Sequence, residues 1–271
     1  MVSESFFVII YMKIGINASF LRKPATGIGQ VTIHGLRSLL TADAWRQHEF
    51  ILYVEEPSDM LALGDHARLN VVKCPWRRDD LVRKWLWERF MLPKAVLRDG
   101  CDAFVSLYQS ATVLPVGMRH VMVVHDLIPY FLPEYLNTIR KRLYYGSVIR
   151  GIRRASALMT VSNRTREDVS EVFGIHTKDI VVAYPSVDPI FAESIDEDDV
   201  RRVLAGFGIK EGYIYYGGGL EVRKNVDGVM RAYATLLEKV ANEPPLNAHF
   251  GDEIQTDATD PSVAKDGFKS D

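Results

Sequence analysis

The sequence predicts an α/β fold built on a mainly parallel sheet. Short apolar or β-branched runs alternate with longer amphipathic stretches, which is the pattern of successive β-α-β units. Runs such as His120–Val124 are apolar without alternation, as expected for strands that helices cover on both faces. With 47% apolar and 25% charged residues among 271, the composition is that of an ordinary globular protein.

Seven strands and four helices are predicted up to residue 182. The predicted strands are Lys13–Asn17, Glu49–Val54, Asn70–Lys73, Ala103–Ser106, His120–His125, Ala157–Val161 and Ile180–Val182. The predicted helices are Gly29–Thr41, Leu81–Leu97, Ile139–Arg154 and Asn163–Phe173. The turn-rich residues 184–189 and the acidic stretch Glu193–Asp199 then predict a solvated connection.

A second α/β unit is predicted to begin after this connection. Tyr213–Gly217 predicts a strand, the three glycines at 217–219 predict a turn, and Asn225–Lys239 predicts a helix. Residues 242–271 have few aromatic or β-branched side chains, which predicts a disordered or non-native tail. The predicted organisation is therefore a domain at 12–190, the start of another at 209–241, and the tail at 242–271.

Charge and cysteine usage exclude some function classes. A net charge of −2 does not favour nucleic-acid binding, which needs a concentrated basic face. Cys74 and Cys101 form no metal or redox spacing, so we expect a cytoplasmic protein without a bound metal. No apolar run approaches the ~20 residues that span a bilayer.

The first candidate site follows the first strand, in Thr26-Gly27-Ile28-Gly29-Gln30. Glycines at Gly27 and Gly29 would let the backbone approach a ligand and leave helix N–H groups available to an anion or a sugar hydroxyl. A plain tight turn explains the same residues.

The second candidate site is the His125-Asp126 pair at the end of an apolar strand, where open α/β sheets bind their ligands. His125 could donate a hydrogen bond to a sugar hydroxyl or position the reacting centre. Asp126 could fix the tautomer of His125 or cap the segment that follows. The alternative is a histidine that is merely held by a turn.

The third candidate site is Ser162-Asn163, which follows another predicted strand. Either residue could cap the helix that begins there, and this helix start could also bind a phosphate or a hydroxyl. A structural cap alone is the alternative.

The fourth candidate site is the stretch from Gly217 to Asn225. Its glycine turn contains Gly218 and Gly219, and the adjacent cations Arg223 and Lys224 precede a helix. Backbone N–H groups and two positive side chains would suit a diphosphate. A solvated basic turn is the alternative.

Two of the predicted helices, Leu81–Leu97 and Ile139–Arg154, mix basic residues with aromatic ones. Such helices can lie on an anionic membrane surface. More often such helices have a core-facing stripe and a solvated opposite face.

In this order, the motifs resemble the group 1 (family 4) glycosyltransferases. The resemblance covers residues 12–239 and rests on KIGINASFL with TGIGQ, VVHDLIPYFLPEY, ALMTVSNRTREDV, FGIHTKDIVVAYPSVDPIF and YIYYGGGLEVRKNV. The HDLIP and GGLE-x-RKN variants are similar to those of bacterial mannosyltransferases of surface-polysaccharide synthesis.

This resemblance implies two facing Rossmann-like domains (GT-B architecture) and sugar transfer with retention of anomeric configuration, without a metal or cofactor. The partners it implies are a nucleotide-sugar donor, for which GDP-mannose is our expectation, and a glycan or lipid-linked acceptor. It also allows peripheral association with the inner membrane face. It maps Arg223 and Lys224 to the donor phosphates, Gly27 and Gly29 to the phosphates and acceptor, and His125 to the transferred sugar.

The sequence departs from the family pattern in its second domain. The family carries a Glu-x7-Glu motif there, yet no Glu of this chain is followed by another eight positions later. We therefore expect a chain that stops inside its second domain and is inactive by itself. The alternatives are a non-catalytic remnant that binds a glycan or a partner, and a nucleotide-sugar epimerase.

Overall fold

The computed structural model describes residues 11–42, 47–63, 70–73, 80–210, 212–219 and 222–242. The chain divides into two compact units, Met1–Ala192 and Glu193–Asp271. Cys74 and the predicted tail from residue 243 onward lie outside the described residues.

A seven-stranded parallel sheet forms the centre of the first unit. Its strands are β1 (Lys13–Asn17), β2 (Glu49–Val54), β3 (Asn70–Lys73), β4 (Ala103–Ser106), β5 (Arg119–Val124), β6 (Ala157–Thr160) and β7 (Ile180–Val182). Every neighbouring pair is parallel, in the order β3-β2-β1-β4-β5-β6-β7. All seven predicted strands are confirmed, and His125 is the first residue beyond β5.

This strand order is that of a Rossmann-type sheet. The chain builds outward from β1 through β2 to β3, then crosses back to place β4 on the other side of β1. The order therefore reverses between β1 and β4, and ligands of such sheets bind outside the carboxyl ends of the strands near that point. The predicted α/β class with a parallel sheet is confirmed.

Helices cover both faces of this sheet. They are α1 (Gly27–Thr41), α2 (Leu81–Leu86), α3 (Leu92–Arg98), α4 (Ile128–Phe131), α5 (Ile139–Arg154) and α6 (Asn163–Phe173). Shorter 3-10 turns lie at Ser19–Arg22, Pro57–Leu63, Pro133–Leu136, Thr177–Asp179 and Pro189–Ala192. The predicted helix Leu81–Leu97 is confirmed, but a π-helical turn, Trp87–Met91, interrupts its α-helical geometry and separates α2 from α3. This turn buries the consecutive side chains Trp87 and Glu88.

Adjacent residues of β4 point into different parts of the core. Phe104 packs with Trp87 and Leu92, whereas Val105 packs against the cluster that contains Ile33 and Leu36 of α1. A third cluster joins β5 and β6 to the helices that follow them, and it includes Met122, Val124, Val148, Ile152 and Leu158. Both faces are thus apolar, which explains why the strands lack alternation.

The second unit contains α7 (Glu197–Gly206), a 3-10 turn at Val222–Lys224 and α8 (Val226–Asn242). The predicted connection Glu193–Asp199 is exposed as expected, but from residue 197 onward it is helical. Asp196 caps α7 by accepting from the N–H groups of Asp198 and Asp199 at 2.8 and 3.3 Å. The acidic residues of that turn also suit the positive end of the helix dipole.

The predicted strand Tyr213–Gly217 is not a strand in the structure. A strand is defined by hydrogen bonds to a neighbour, and the described part of the second unit offers none. The predicted helix after it is confirmed as α8. Among the described helices of both units, none is long and apolar enough to cross a membrane.

Candidate active site

The carboxyl ends of the parallel strands form the edge on which the first-unit candidates lie. A cleft of about 610 Å³ opens there between α1 and the segments that follow β5 and β7. Its lining residues are Gly27, Ile28, Gln30, Val31, His34, Gly35, Ser38, His125, Asp126, Ala183, Tyr184, Pro185 and Ser186. Of the residues predicted from the sequence, this cleft brings together Gly27, His125 and Asp126.

His125 is held on three sides and is 9% exposed. Its backbone N–H donates to Gln109 Oε1 at 3.1 Å, and its carbonyl accepts from Thr165 Oγ1 at 3.0 Å. Its Nε2 lies 2.9 Å from the carbonyl oxygen of Leu107. Because a carbonyl only accepts, Nε2 carries the proton and Nδ1 is left with a lone pair.

Burial lowers the pKa of His125, although the hydrogen bond to Leu107 and the charge of Asp126 act in the opposite direction. The ring is therefore neutral near pH 7. In this state His125 can accept a hydrogen bond through Nδ1 but has no second ring proton to donate. With Nε2 engaged by Leu107, Nδ1 is the ring atom that remains for a ligand, so the predicted donation to a sugar hydroxyl stays a prediction.

Asp126 caps the turn that follows it. Its Oδ1 accepts from the N–H of Ile128 at 3.1 Å, and its carbonyl accepts from Gln109 Nε2 at 3.2 Å. Leu107, rather than Asp126, fixes the tautomer of His125. Asp126 was predicted either to fix the tautomer of His125 or to cap the following segment, and the structure shows the cap.

Gly27 and Gly29 have different surroundings. A side chain at Gly27 would meet no atom within 4 Å, and this residue lines the cleft. At Gly29 a side chain would collide with the carbonyl oxygen of Lys23. The N–H of Gly29 also donates to Thr26 Oγ1 at 3.1 Å, which caps α1. Gly29 is therefore needed for the close packing of the loop, and only Gly27 borders the open space.

Ser162 and Asn163 do not line this cleft. Ser162 caps α6, because its Oγ accepts from the N–H of Thr165 at 3.1 Å. Asn163 is exposed at the first position of that helix. Of the pair, only Ser162 has the capping role in the structure.

The remaining candidates belong to the second unit. Gly218 and Gly219 lie in the exposed segment before α8, and Arg223 and Lys224 form the 3-10 turn directly before that helix. The hydroxyl of Tyr216 donates to the carbonyl of Lys224 at 3.4 Å, which ties the glycine segment to the basic turn. Both cations are exposed.

Two further sets of cleft residues were missed from the sequence. Gln30, His34 and Ser38 recur every four residues on α1, and this polar stripe was a usable signal. His34 Nε2 lies 3.1 Å from Gln30 Oε1 and 3.7 Å from Asp188 Oδ2. The loop Tyr184–Ser186 was interpreted only as part of a connection between domains.

Within the part of the chain that the structure describes, no three His, Cys, Asp or Glu side chains are grouped as metal ligands would be. The polar atoms around the cleft are single carboxylates, amides, hydroxyls and imidazoles. Such a set suits hydrogen bonding to a polyhydroxylated ligand.

The model of the family described as Glycosyltransferase Family 4 matches residues 29–191, which is more than half of the chain and includes most of the cleft. The chain belongs to glycosyltransferase family 4. The resemblance inferred from the sequence motifs is thereby confirmed.

Among the relatives of this glycosyltransferase-family chain is the O-antigen chain mannosyltransferase B of Escherichia coli. The two are 26% identical over 250 residues, which cover 87% of this chain and 63% of the relative. The chain therefore spans less than two thirds of that relative's length.

Solved structures of similar fold include Anabaena Alr3699/HepE in complex with UDP and glucose, with 14% identity and a TM-score of 0.46 over 73% of this chain and 50% of that one. A glycosyltransferase from Rickettsia africae has 11% identity and a TM-score of 0.44 over 74% and 51%. The chain spans about half the length of both.

Proposed function

We propose that this chain is the acceptor-side part of a retaining glycosyltransferase of GT-B architecture. It would serve the transfer of a hexose from a nucleotide sugar to a glycan or lipid-linked saccharide. The observation that carries the proposal is the cleft at the carboxyl edge of the sheet, which lies largely within the family match. Its likeness to a protein named as an O-antigen chain mannosyltransferase supports mannose as the sugar. GDP-mannose is the donor that we propose.

In this proposal His125 and Asp126 contact the sugar in the cleft. His125 Nδ1 accepts from a sugar hydroxyl, since Nε2 is engaged with Leu107. Asp126 uses Oδ1 to cap the turn, so Oδ2 is the oxygen that would accept from the ligand. Gly27 lets the ligand approach the backbone at the start of α1, because no side chain intervenes.

The donor diphosphate would be held by the second unit. Gly218 and Gly219 supply backbone N–H groups, and Arg223 and Lys224 supply positive charge next to the start of α8. The nucleotide sugar acts as a co-substrate, and neither a metal nor another cofactor takes part. A lipid-linked acceptor would place this cytoplasmic protein at the inner face of the membrane.

We also propose that this chain alone transfers sugar slowly or not at all. The described part of its second unit forms two helices and a 3-10 turn but no sheet. Its apolar groove between residues 213–216 and α8 is lined by Tyr213, Ile214, Tyr216, Val229, Met230, Ala232, Tyr233 and Leu236. The lack of a sheet in the described part of the second unit is also what favours the second candidate function, a non-catalytic protein that binds a glycan or a partner.

The acceptor cleft can be tested by saturation-transfer NMR with a mannose oligosaccharide. We expect binding by the chain, and its loss in His125→Ala without loss of the fold. His176→Ala is the control, because His176 is exposed and does not line the cleft. Oligosaccharide binding that survives His125→Ala would contradict the placement of the sugar.

The two candidate functions differ in what the chain does with a donor. Radiolabelled GDP-mannose with a lipid-linked mannosyl acceptor measures transfer directly. Rapid transfer would refute the proposal that this chain transfers sugar slowly or not at all, and any detectable transfer would exclude the non-catalytic function. Binding of neither saccharide nor nucleotide would refute the transferase function and the glycan-binding form of the second function.

The diphosphate site can be tested by calorimetry with GDP. We expect Arg223→Ala to weaken GDP binding by about tenfold or more, since a charge-assisted contact contributes ~1.5–3 kcal/mol. Arg231→Ala is the matched control, because Arg231 is an exposed cation on α8 that is paired with Asp227. Equal affinities in the two variants would exclude the role of Arg223.

A further inference from the structure

The apolar groove of the second unit lies between residues 213–216 and α8 and has a volume of about 590 Å³. Among the described residues of this unit none is buried, so the groove is open to solvent. A large contiguous apolar surface of this kind marks a site of interaction with another polypeptide. The groove therefore requires an occupant.

The apolar surface beside the groove is as large as a protein interface. Six large apolar side chains of α8 have exposed fractions between 39% and 62%: Val229, Met230, Tyr233, Leu236, Leu237 and Val240. With the apolar residues of 213–216 they present on the order of 800 Å² of surface, since a whole aromatic side chain covers about 150–250 Å² and an aliphatic one somewhat less. This is about the area that each partner buries in a standard protein interface.

The spacing of these residues is that of a coiled-coil seam. Four of them follow each other at intervals of four, three and four positions: Val229, Tyr233, Leu236 and Val240. The charged Asp227, Arg231 and Glu238 are each two positions from a member of this stripe, which places them on the other side of the helix. The stripe itself is therefore uncharged and suits the apolar face of another helix.

The stripe is complementary to itself when a second α8 runs in the opposite direction. About a centre between residues 234 and 235, Val229 lies opposite the partner's Val240, and Tyr233 lies opposite the partner's Leu236. Each position of the stripe thus meets an apolar side chain of the second copy. The same patch serves on both chains, so the pair closes with two-fold symmetry.

Charges at the helix ends favour the same direction. Arg223 and Lys224 directly precede α8, so a parallel pair would bring four cations together. In an antiparallel pair each basic turn lies beside the end of the partner's helix, where the dipole is negative. Residues 243–271, which continue from that end, contain seven Asp and Glu residues and only two Lys. The antiparallel direction therefore brings opposite charges together.

We propose that α8 pairs this chain with a second copy of itself, through an antiparallel contact of the two apolar stripes. Residues 213–216 form the second wall of the groove that receives the partner's helix. Two heptads make a short seam, so we expect a weak dimer with a dissociation constant of roughly 10–100 μM. The pairing requires neither a saccharide nor a nucleotide, so it succeeds or fails separately from the proposed function.

Sedimentation velocity of the full 271-residue chain from about 1 to 200 μM tests the pairing. We expect the mass to rise from that of one chain to that of two and then to stay constant. Leu236→Glu should weaken the dimer about tenfold or more, because it buries a charge at the centre of the seam. Ala234→Glu is the matched control, since it adds the same charge at an exposed position on the other side of α8. Circular dichroism of each variant separates weaker pairing from loss of the helix.

The direction of the helices can be tested by the distance between two nitroxide labels, one on each chain. Thr235→Cys and Asn242→Cys provide exposed labelling positions one heptad apart, in a Cys74→Ser background where Cys101 is buried. In an antiparallel pair residue 242 is far from the centre, so its labels should be about 10 Å further apart than those at residue 235. A parallel pair would give equal distances.

A native chain that stays a monomer over the whole concentration range would overturn the proposal. So would equal weakening by Leu236→Glu and Ala234→Glu, or equal label distances at residues 235 and 242. A mass that rises beyond two chains without a plateau would show open-ended association instead of a closed pair and would also overturn it. If the chain dimerises as expected but binds neither saccharide nor nucleotide, the proposed transferase function fails and the pairing surface stands.

Discussion

At the start of α1, a side chain on Gly29 would collide with the carbonyl oxygen of Lys23, whereas one on Gly27 would meet no atom within 4 Å. We expect Gly29→Ala to lower the free energy of unfolding by about 1–3 kcal/mol, the usual cost of overpacking. Gly27→Ala should be neutral or stabilise by up to about 1 kcal/mol, because alanine is the better helix former. Urea denaturation of both variants measures the difference, and equal effects would contradict it.

The buried His120 also makes the stability of the fold depend on pH. This histidine is buried with Nε2 at 2.9 Å from Ser106 Oγ, and burial lowers its pKa to about 4. The unfolded chain, with an ordinary pKa near 6.5, therefore binds more protons than the folded one below that pH. Above about pH 6.5, His120 therefore does not change the free energy of unfolding. As the pH falls to 4, it lowers the free energy of unfolding by up to about 3 kcal/mol.

This prediction can be checked by urea unfolding at pH 7 and pH 5. The loss of stability between these pH values should be smaller in His120→Gln than in the native chain, because the variant has no imidazole to protonate. The exposed His176→Gln is the control and should keep the native difference. If the free energy of unfolding of His120→Gln depended on pH as in the native chain, His120 would not be the cause of the pH dependence.

At the scale of the elements, the π-helical turn between α2 and α3 supplies a buried carboxylate that bonds to several other segments. It carries the fully buried Glu88, whose carboxylate accepts from Tyr108 Oη at 2.6 Å, Tyr144 Oη at 3.0 Å and the N–H of Ala111 at 3.1 Å. Tyr108 also contacts Asn17 at the carboxyl end of β1. One carboxylate thus joins this turn to the end of β1, to α5 and to the loop after β4.

Removal of Glu88 should be costly, because it leaves two buried hydroxyls and a backbone N–H without their acceptor. We expect Glu88→Ala to lower the free energy of unfolding by about 3–5 kcal/mol. Glu171→Ala, at an exposed position of α6, is the control and should change it by less than about 0.5 kcal/mol. Similar melting temperatures for the two variants would show that this network does not stabilise the fold.

On the scale of the whole molecule, the sheet and all three apolar clusters belong to the first unit. We therefore expect residues 12–192 alone to unfold cooperatively, at a temperature within a few degrees of the longer chain. Residues 193–242 alone should show no cooperative transition, because apolar side chains such as Ile214, Tyr215 and Leu236 are exposed. Calorimetry of both fragments is the measurement, and a broad, non-cooperative transition of the first fragment would refute the expectation.

Sequence predictions were accurate where the interactions join residues close together in the chain, and they failed where the interactions join distant residues. The strands were predictable because burial on both faces requires local apolar runs, and the cap at Ser162 because it bonds only three residues away. The tautomer of His125 depends on Leu107, eighteen residues earlier. The start of α7 was missed because an acidic cluster in a helix's first turn resembles a solvated linker.

The sequence by itself determined the α/β class, the seven strands and the family, because apolar periodicity and motif order are local properties of the chain. Only the tertiary structure decided that Gly27 and His125 share a cleft with His34 and Tyr184, whereas Gly29 and Ser162 serve the packing and capping of helices. The physical reason is that a glycine or a hydroxyl has the same local preferences in either role. What distinguishes the roles is whether distant segments of the chain fill the space beside it or leave it open.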